Sequence, residues 1–164
     1  MPLTGMAADL KPETVPAVFL RQAKERNSAP AMRVMRNNKE YVWTWKQFRD
    51  DAMAFAKSLH HIGIDERSVV NVMGFNSPEW AIAYFGSILR NSPCSGVYAT
   101  NGPDACLYQA QHSCAQVIVV ETIQHLKLYL SIMDKLPAVK ALVIWGVDKV
   151  PDELQKDQRV HTFR

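Results

Sequence analysis

These 164 residues contain no run of like charge, no glycine-rich loop and no long apolar stretch. Each absence removes a class of function. Nucleic-acid binding asks for basic side chains clustered on one face. Here 19 Lys and Arg against 16 Asp and Glu leave a net +3 that is scattered along the chain, so no nucleic-acid partner is expected. A helix that spans a bilayer needs about 20 apolar residues in succession, and none is present. The opening MPLTGMAADLKPE lacks a basic flank followed by an apolar run, so it does not read as a secretory signal. Cys94, Cys106 and Cys114 form no C-x-x-C and are odd in number, which fits a reducing, cytoplasmic setting. Neither G-x-G-x-x-G nor G-x-x-x-x-G-K-[ST] occurs, which argues against a nicotinamide-binding or P-loop domain. No H-E-x-x-H, no G-x-S-x-G and no zinc-type spacing is found. Cys106, His112 and Cys114 therefore read as helix residues with buried, inert thiols, and no metal site is expected.

What the chain does have is a core signature. Hydrophobic residues make up 48% and charged residues 21%, enough for one domain with a sizeable interior. The organising stretch is 69–121. Val69–Gly74 and Val117–Val120 are short β-branched runs suited to strands buried on both faces, and Cys94–Tyr98 is a weaker strand between them. Asn76-Ser77-Pro78-Glu79 offers a Ser cap, Pro at the first helical position and an acid in the first turn. Asn101-Gly102-Pro103-Asp104 repeats the pattern. Alternating strands and helices of this length predict a parallel sheet with right-handed crossovers. From Ser68 to Leu126 the charged residues are Glu79, Arg90, Asp104 and Glu121 alone, so this stretch reads as interior and the flanks as surface.

The flanks also have local grammar. Thr14 can cap a helix running to about Arg26, with Val15, Val18, Phe19 and Ala23 inward. Ala31–Met35 and Glu40–Thr44 read as a hairpin around Arg36-Asn37-Asn38-Lys39, where the Asn pair tolerates positive φ. Thr44-x-x-Gln47 is a capping box that opens a helix with Phe48, Ala52, Phe55, Leu59 and Ile62 on one stripe and Gly63 just past its end. A helix from about Thr122 to Lys135, a strand at Ala141–Trp145, a polar loop and the start of an element at Arg159–Arg164 follow.

The possible chemistry has plain alternatives. Glu79 and Asp104 occupy the positive first turns that a phosphate would want, and Pro78 and Pro103 each remove a donor, so these helix starts read as capped rather than nucleotide-binding. His60-His61 reads as a solvated pair, and Asp50-Asp51 and Asp65-Glu66 read as surface. Trp43 and Trp45 read as packing residues. Residue types alone describe an α/β domain without a self-contained active site.

GFNSPEW at Gly74–Trp80 and GVYATNGPDAC at Gly96–Cys106 resemble the acyl-CoA synthetases of the bubblegum type. These are long-chain fatty-acid–CoA ligases of the AMP-binding, adenylate-forming superfamily. The likeness extends through YVWTWKQFRDDAMAFAKSLHHIGI, AQVIVVE and LPAVKALVIW, from about Glu13 to Trp145. It implies an enzyme that uses ATP, Mg²⁺ and CoA to turn a long-chain fatty acid into acyl-AMP and then acyl-CoA. The family's Ser/Thr/Gly-rich phosphate loop ending in Pro-Lys is absent here, as are its Y-G-x-[ST]-E motif, ribose-binding Asp and catalytic Lys. The resemblance therefore implies residues 1–13 as an irregular lead-in and residues 14–164 as a truncated N-terminal portion of an AMP-binding domain, an incomplete α/β lobe. It implies no catalytic residue in this chain and an exposed face that the remainder of the ligase covers. The alternative is a non-catalytic piece that binds acyl chains or a protein. By resemblance, Tyr98, Ala99, Thr100 and Asn101 form a turn on the CoA side. The plainer reading has Tyr98 packing and Asn101 shaping the turn. Arg90-Asn91 departs from the family's Ala-Gly or Gly-Gly and is expected to alter a helix end only.

Overall fold

The computed structural model describes residues 12–164, so nearly all of the expected lead-in lies outside the described residues. The first helix, α1, covers Val15–Glu25, and the Thr14 side chain accepts the Ala17 N–H at 3.2 Å. Its buried residues are Phe19 and Ala23. Val15 and Val18, expected inward, are 54% and 38% exposed, because this short helix lies at the rim of the domain and has neighbours along one narrow stripe.

Strands β1 (Pro30–Arg36) and β2 (Lys39–Thr44) form the antiparallel hairpin. Asn37 and Asn38 both take positive φ, 50° and 60°. That is the backbone a two-residue turn needs to match the strand twist, and Asn pays little for it.

Helix α2 (Trp45–His61) opens on the full capping box. The Thr44 hydroxyl accepts the Gln47 N–H at 3.2 Å, and the Gln47 side chain accepts the Thr44 N–H at 2.9 Å. Phe48, Ala52, Phe55 and Leu59 are buried as their spacing predicts, and Gly63 leaves the helix at φ +72°. Thr44→Ala should cost about 1 kcal/mol. Thermal unfolding should register that as a melting point lower by about 3 °C.

The main sheet contains β3 (Val69–Met73), β4 (Cys94–Val97), β5 (Ala115–Val120), β6 (Ala141–Ile144) and β7 (Val160–Thr162), in the order β4-β3-β5-β6-β7. Every adjacent pair is parallel. Helices α3 (Pro78–Leu89), α4 (Pro103–Ser113) and α5 (Ile123–Ser131) connect β3 to β6. The helix expected to reach Lys135 breaks at Ile132 and resumes as a single 3₁₀ turn, Met133–Lys135.

Side chains alternate across the sheet with the strand period of two. Val70, Val72, Val117 and Val119 join Phe19, Phe48, Phe55, Leu59 and Ile82 on the face covered by α1, α2 and α3. Ile118, Val120, Leu142 and Ile144 join Leu126, Tyr129 and Cys106 on the face of α4 and α5. Each such side chain contributes roughly 1.5–3 kcal/mol when fully buried. The division into a core middle and wet flanks is therefore corrected. Helix α2 and strand β6, both in the flanks, supply core, while Phe75, Tyr98 and Tyr108 in the middle are exposed.

One face of the sheet is incompletely covered. A groove of about 940 Å³ runs between β2 and α2 on one side and β6 and β7 on the other, with Trp43, Phe55, Leu59, Val143 and Phe163 in its walls.

Candidate functional site

In an open parallel sheet, ligands gather outside the carboxyl ends of the strands, where the strand order reverses. Here β3 leads through α3 to β4 on one side, and the chain then crosses back through α4 to β5 on the other. The crevice beyond β3 and β5 is closed. The Glu121 carboxylate accepts the Phe75 N–H at 2.8 Å. Gly74 lies so close to the Trp145 ring that an added Cβ would sit 2.4 Å from it. A Cβ on Gly146 would meet the Glu121 carbonyl oxygen at 2.0 Å. The glycines here admit protein groups, not a ligand.

Beyond β4 the surface is open. Tyr98 is 79% exposed, which corrects the reading that it packs. Its carbonyl accepts the Asn101 N–H at 3.1 Å, closing a four-residue turn. The Asn101 amide donates to the Gln109 side chain at 3.1 Å, and the Asn101 carbonyl accepts from the buried Cys106 thiol at 3.8 Å. Asn101 thus shapes the turn from the α4 side. The cap of α4 is Gly102 with no side-chain bond, so the second helix start only partly repeats the first. At the first, the Ser77 hydroxyl accepts the Trp80 N–H at 3.1 Å.

A residue that sequence reasoning left out also reaches this turn. His125 lies in the first turn of α5, where its N–H is capped by Thr122 Oγ1 at 3.2 Å. Its ring Nε2 lies 3.1 Å from the Ala99 carbonyl oxygen. The available signal was a polar ring one turn after the end of a buried strand, a position that faces the sheet's carboxyl edge. Thr100 is exposed, and Ala99 is half-buried beneath it.

Other candidates resolve into structure. Glu79 is 3% exposed and is gripped by Arg36 from the hairpin, with one contact at 3.1 Å, and by Arg164 at 3.4 Å. The Glu79 carboxylate holds the Arg36 guanidinium above its ordinary value. Asp51 accepts the Trp43 indole N–H at 3.0 Å and is half-buried, so only Asp50 of that pair is surface. Trp45 joins an aromatic cluster with Phe19 and Phe48. Burial pushes the Cys94 thiol up to about 12, so it stays protonated and unreactive at neutral pH. Cys114, expected buried, is exposed and ends α4 at φ 52°. Arg90 also ends a helix, α3, and reaches the Ile64 carbonyl at 3.4 Å.

The turn at 98–101 is open and carries the exposed Tyr98 ring and Thr100 hydroxyl. Among the described residues there is no group of three or more His, Cys, Asp or Glu that could hold a metal ion. No described helix is long and apolar enough to cross a membrane.

A family model described as AMP-binding enzyme matches residues 19–162. The chain belongs to that family. Among its relatives is the mouse (Mus musculus) long-chain-fatty-acid–CoA ligase ACSBG2, 35% identical over 133 residues. The match takes in 80% of this chain and 20% of the mouse protein. The Xenopus laevis ACSBG2 ligase is 30% identical over 158 residues, 96% of this chain and 21% of that protein. The human ACSBG1 ligase is 33% identical over 134 residues, 82% and 18% respectively. The chain thus spans about a fifth of the length of these relatives.

Solved structures give the same fold. An anthranilate CoA ligase, AuaEII, in complex with anthranoyl-AMP superposes at TM-score 0.72 with 21% identity, covering 85% of this chain and 26% of that one. Acetoacetyl-CoA synthetase from Streptomyces lividans superposes at 0.76 with 16% identity, covering 90% and 24%. The parallel sheet flanked by helices, with its N-terminal hairpin, is therefore a fold that these enzymes share over about a quarter of their length.

Proposed function

We propose that residues 14–164 form the first lobe of an ATP-dependent long-chain fatty-acid–CoA ligase and contribute its CoA-side turn, Tyr98, Ala99, Thr100 and Asn101. The match over most of this chain to relatives named as such ligases carries the reading. In the whole ligase, ATP provides the leaving group for carboxylate activation and Mg²⁺ neutralises the phosphate charge. Neither step is assigned to a side chain of this lobe. Its own contribution is a rigid sheet that holds the 98–101 turn at one edge. The three free thiols are in keeping with a cytoplasmic setting.

The test separates scaffold from catalyst. Incubated with ATP, Mg²⁺, CoA and a long-chain fatty acid, this chain alone should release no pyrophosphate above the rate without protein. Turnover would overturn its assignment as a non-catalytic lobe.

The groove beside β7 favours a second element of the proposal. Parallel sheets are covered on both faces in stable folds, and this groove leaves part of one face open with Phe163 and Trp43 in its walls. Further polypeptide of the ligase would cover it. The competing occupant is an acyl chain, with Arg164 and Lys57 at the rim for its carboxylate. Titration with a fluorescent fatty acid decides between them, since a saturable signal lost in Phe163→Asp would favour the acyl chain.

A further inference from the structure

The hydrogen bond between α5 and the turn has a directional consequence. A carbonyl oxygen can only accept, so the neutral His125 ring must carry its proton on Nε2 and donate it to Ala99. The other ring nitrogen, Nδ1, is enclosed without a partner among the described residues. A trans peptide is planar, with its C=O and N–H pointing in opposite directions. Drawing the Ala99 carbonyl toward His125 therefore turns the Thr100 N–H, on an exposed residue, the opposite way, away from that ring.

We propose that His125 is a positioning residue that locks the Ala99–Thr100 peptide, so that the Thr100 N–H is presented as a donor to an acceptor oxygen of CoA. This rests on the reading of the turn as CoA-facing and adds to it a specific donor and the group that orients it. Asn101, tied to Gln109 and Cys106, holds the far end of the same turn. Rotation of the Ala99–Thr100 peptide is thus the freedom that His125 removes. No contact between His125 and CoA is involved.

The test uses the full chain labelled with ¹⁵N. In the wild type, long-range imidazole spectra should show a protonated Nε2 and a bare Nδ1. Titration with CoA should shift the Thr100 amide progressively. His125→Leu should move the Thr100 amide in the absence of ligand and weaken the CoA response about fivefold, the effect of one neutral hydrogen bond. His125→Gln, whose amide can donate from nearly the same place as Nε2, should restore both. The opposite tautomer in the wild type overturns the lock, and that result does not depend on any variant folding. A CoA response unchanged in His125→Leu overturns the positioning role. A wild-type turn that ignores CoA, with the tautomer and the unliganded Thr100 shift as expected, overturns the CoA reading and leaves the lock standing.

Discussion

Replacing Glu79 by Ala is expected to destabilise the domain by about 2–3 kcal/mol. Removing one member of a buried ion pair costs about 3–5 kcal/mol when the other is stranded. The asymmetry of this pair lowers the figure. The Glu79 side chain is 3% exposed but that of Arg36 is 39% exposed, so the stranded guanidinium recovers part of its hydration. What is lost besides the charge is the tie between the hairpin and α3, because Glu79 is the point where Arg36 and Arg164 both converge. Glu79→Gln keeps the volume and one acceptor oxygen and should cost less than half as much. Urea unfolding followed by far-ultraviolet dichroism would measure both. A midpoint for Glu79→Ala within error of the wild type would mean that the pair contributes nothing net. Combining Glu79→Met with Arg36→Met should recover part of the loss, since it removes the less exposed of the two guanidinium groups left without a partner.

Gly146→Ala is expected to be at least as severe, about 3 kcal/mol, with the melting point lower by about 6–12 °C. The obstruction is backbone. The new Cβ would sit 2.0 Å from the Glu121 carbonyl oxygen, at the end of β5, and β5 cannot retreat without disturbing its pairing with β6 through Val120 and Ile144. Gly74→Ala makes an informative comparison. Its Cβ would meet the Trp145 ring at 2.4 Å, but Trp145 is a half-buried side chain and can rotate. Gly74→Ala should therefore cost clearly less than Gly146→Ala in the same melt. The reverse order would mean that the Trp145 ring is more rigidly held than the strand end.

Local features were legible in the sequence because they are written in short patterns. The Asn37-Asn38 turn, the Thr44–Gln47 box and the Gly63 helix exit each depend on residues within one turn of one another, and each is found as expected. The strands at 69, 117 and 141 follow from β-branched or apolar runs, and the weaker one at 94 from its place between Pro93 and the Thr100–Pro103 turn. Neighbour choice is a different matter. Glu79 sits in a first helical turn and reads as a cap, but its partner Arg36 lies on another element, and no periodicity announces a pairing across 43 positions. Strand β7 has three residues, too few to display alternation. Val15 and Val18 match an inward stripe, but how wide a stripe is buried depends on what packs against it. Within the candidate site, Asn101 was legible as a turn former. The contact of His125 with Ala99 joins residues 26 positions apart, and no local pattern announces it.

The order β4-β3-β5 has a consequence for how the chain comes into being. Strand β3 sits between two neighbours that are both synthesised after it, and Val70 pairs with Cys94 on one side and Val117 on the other. At ribosomal speeds, on the order of a few seconds separate the emergence of β3 from that of β5. During that interval a β-branched strand destined for full burial has one edge and one face open. Helix α3 and β4 can shelter part of it, but the second edge stays free until β5 arrives. Within the main sheet, β3 is therefore the strand with the longest wait for its partners, and a natural place for a chaperone to hold.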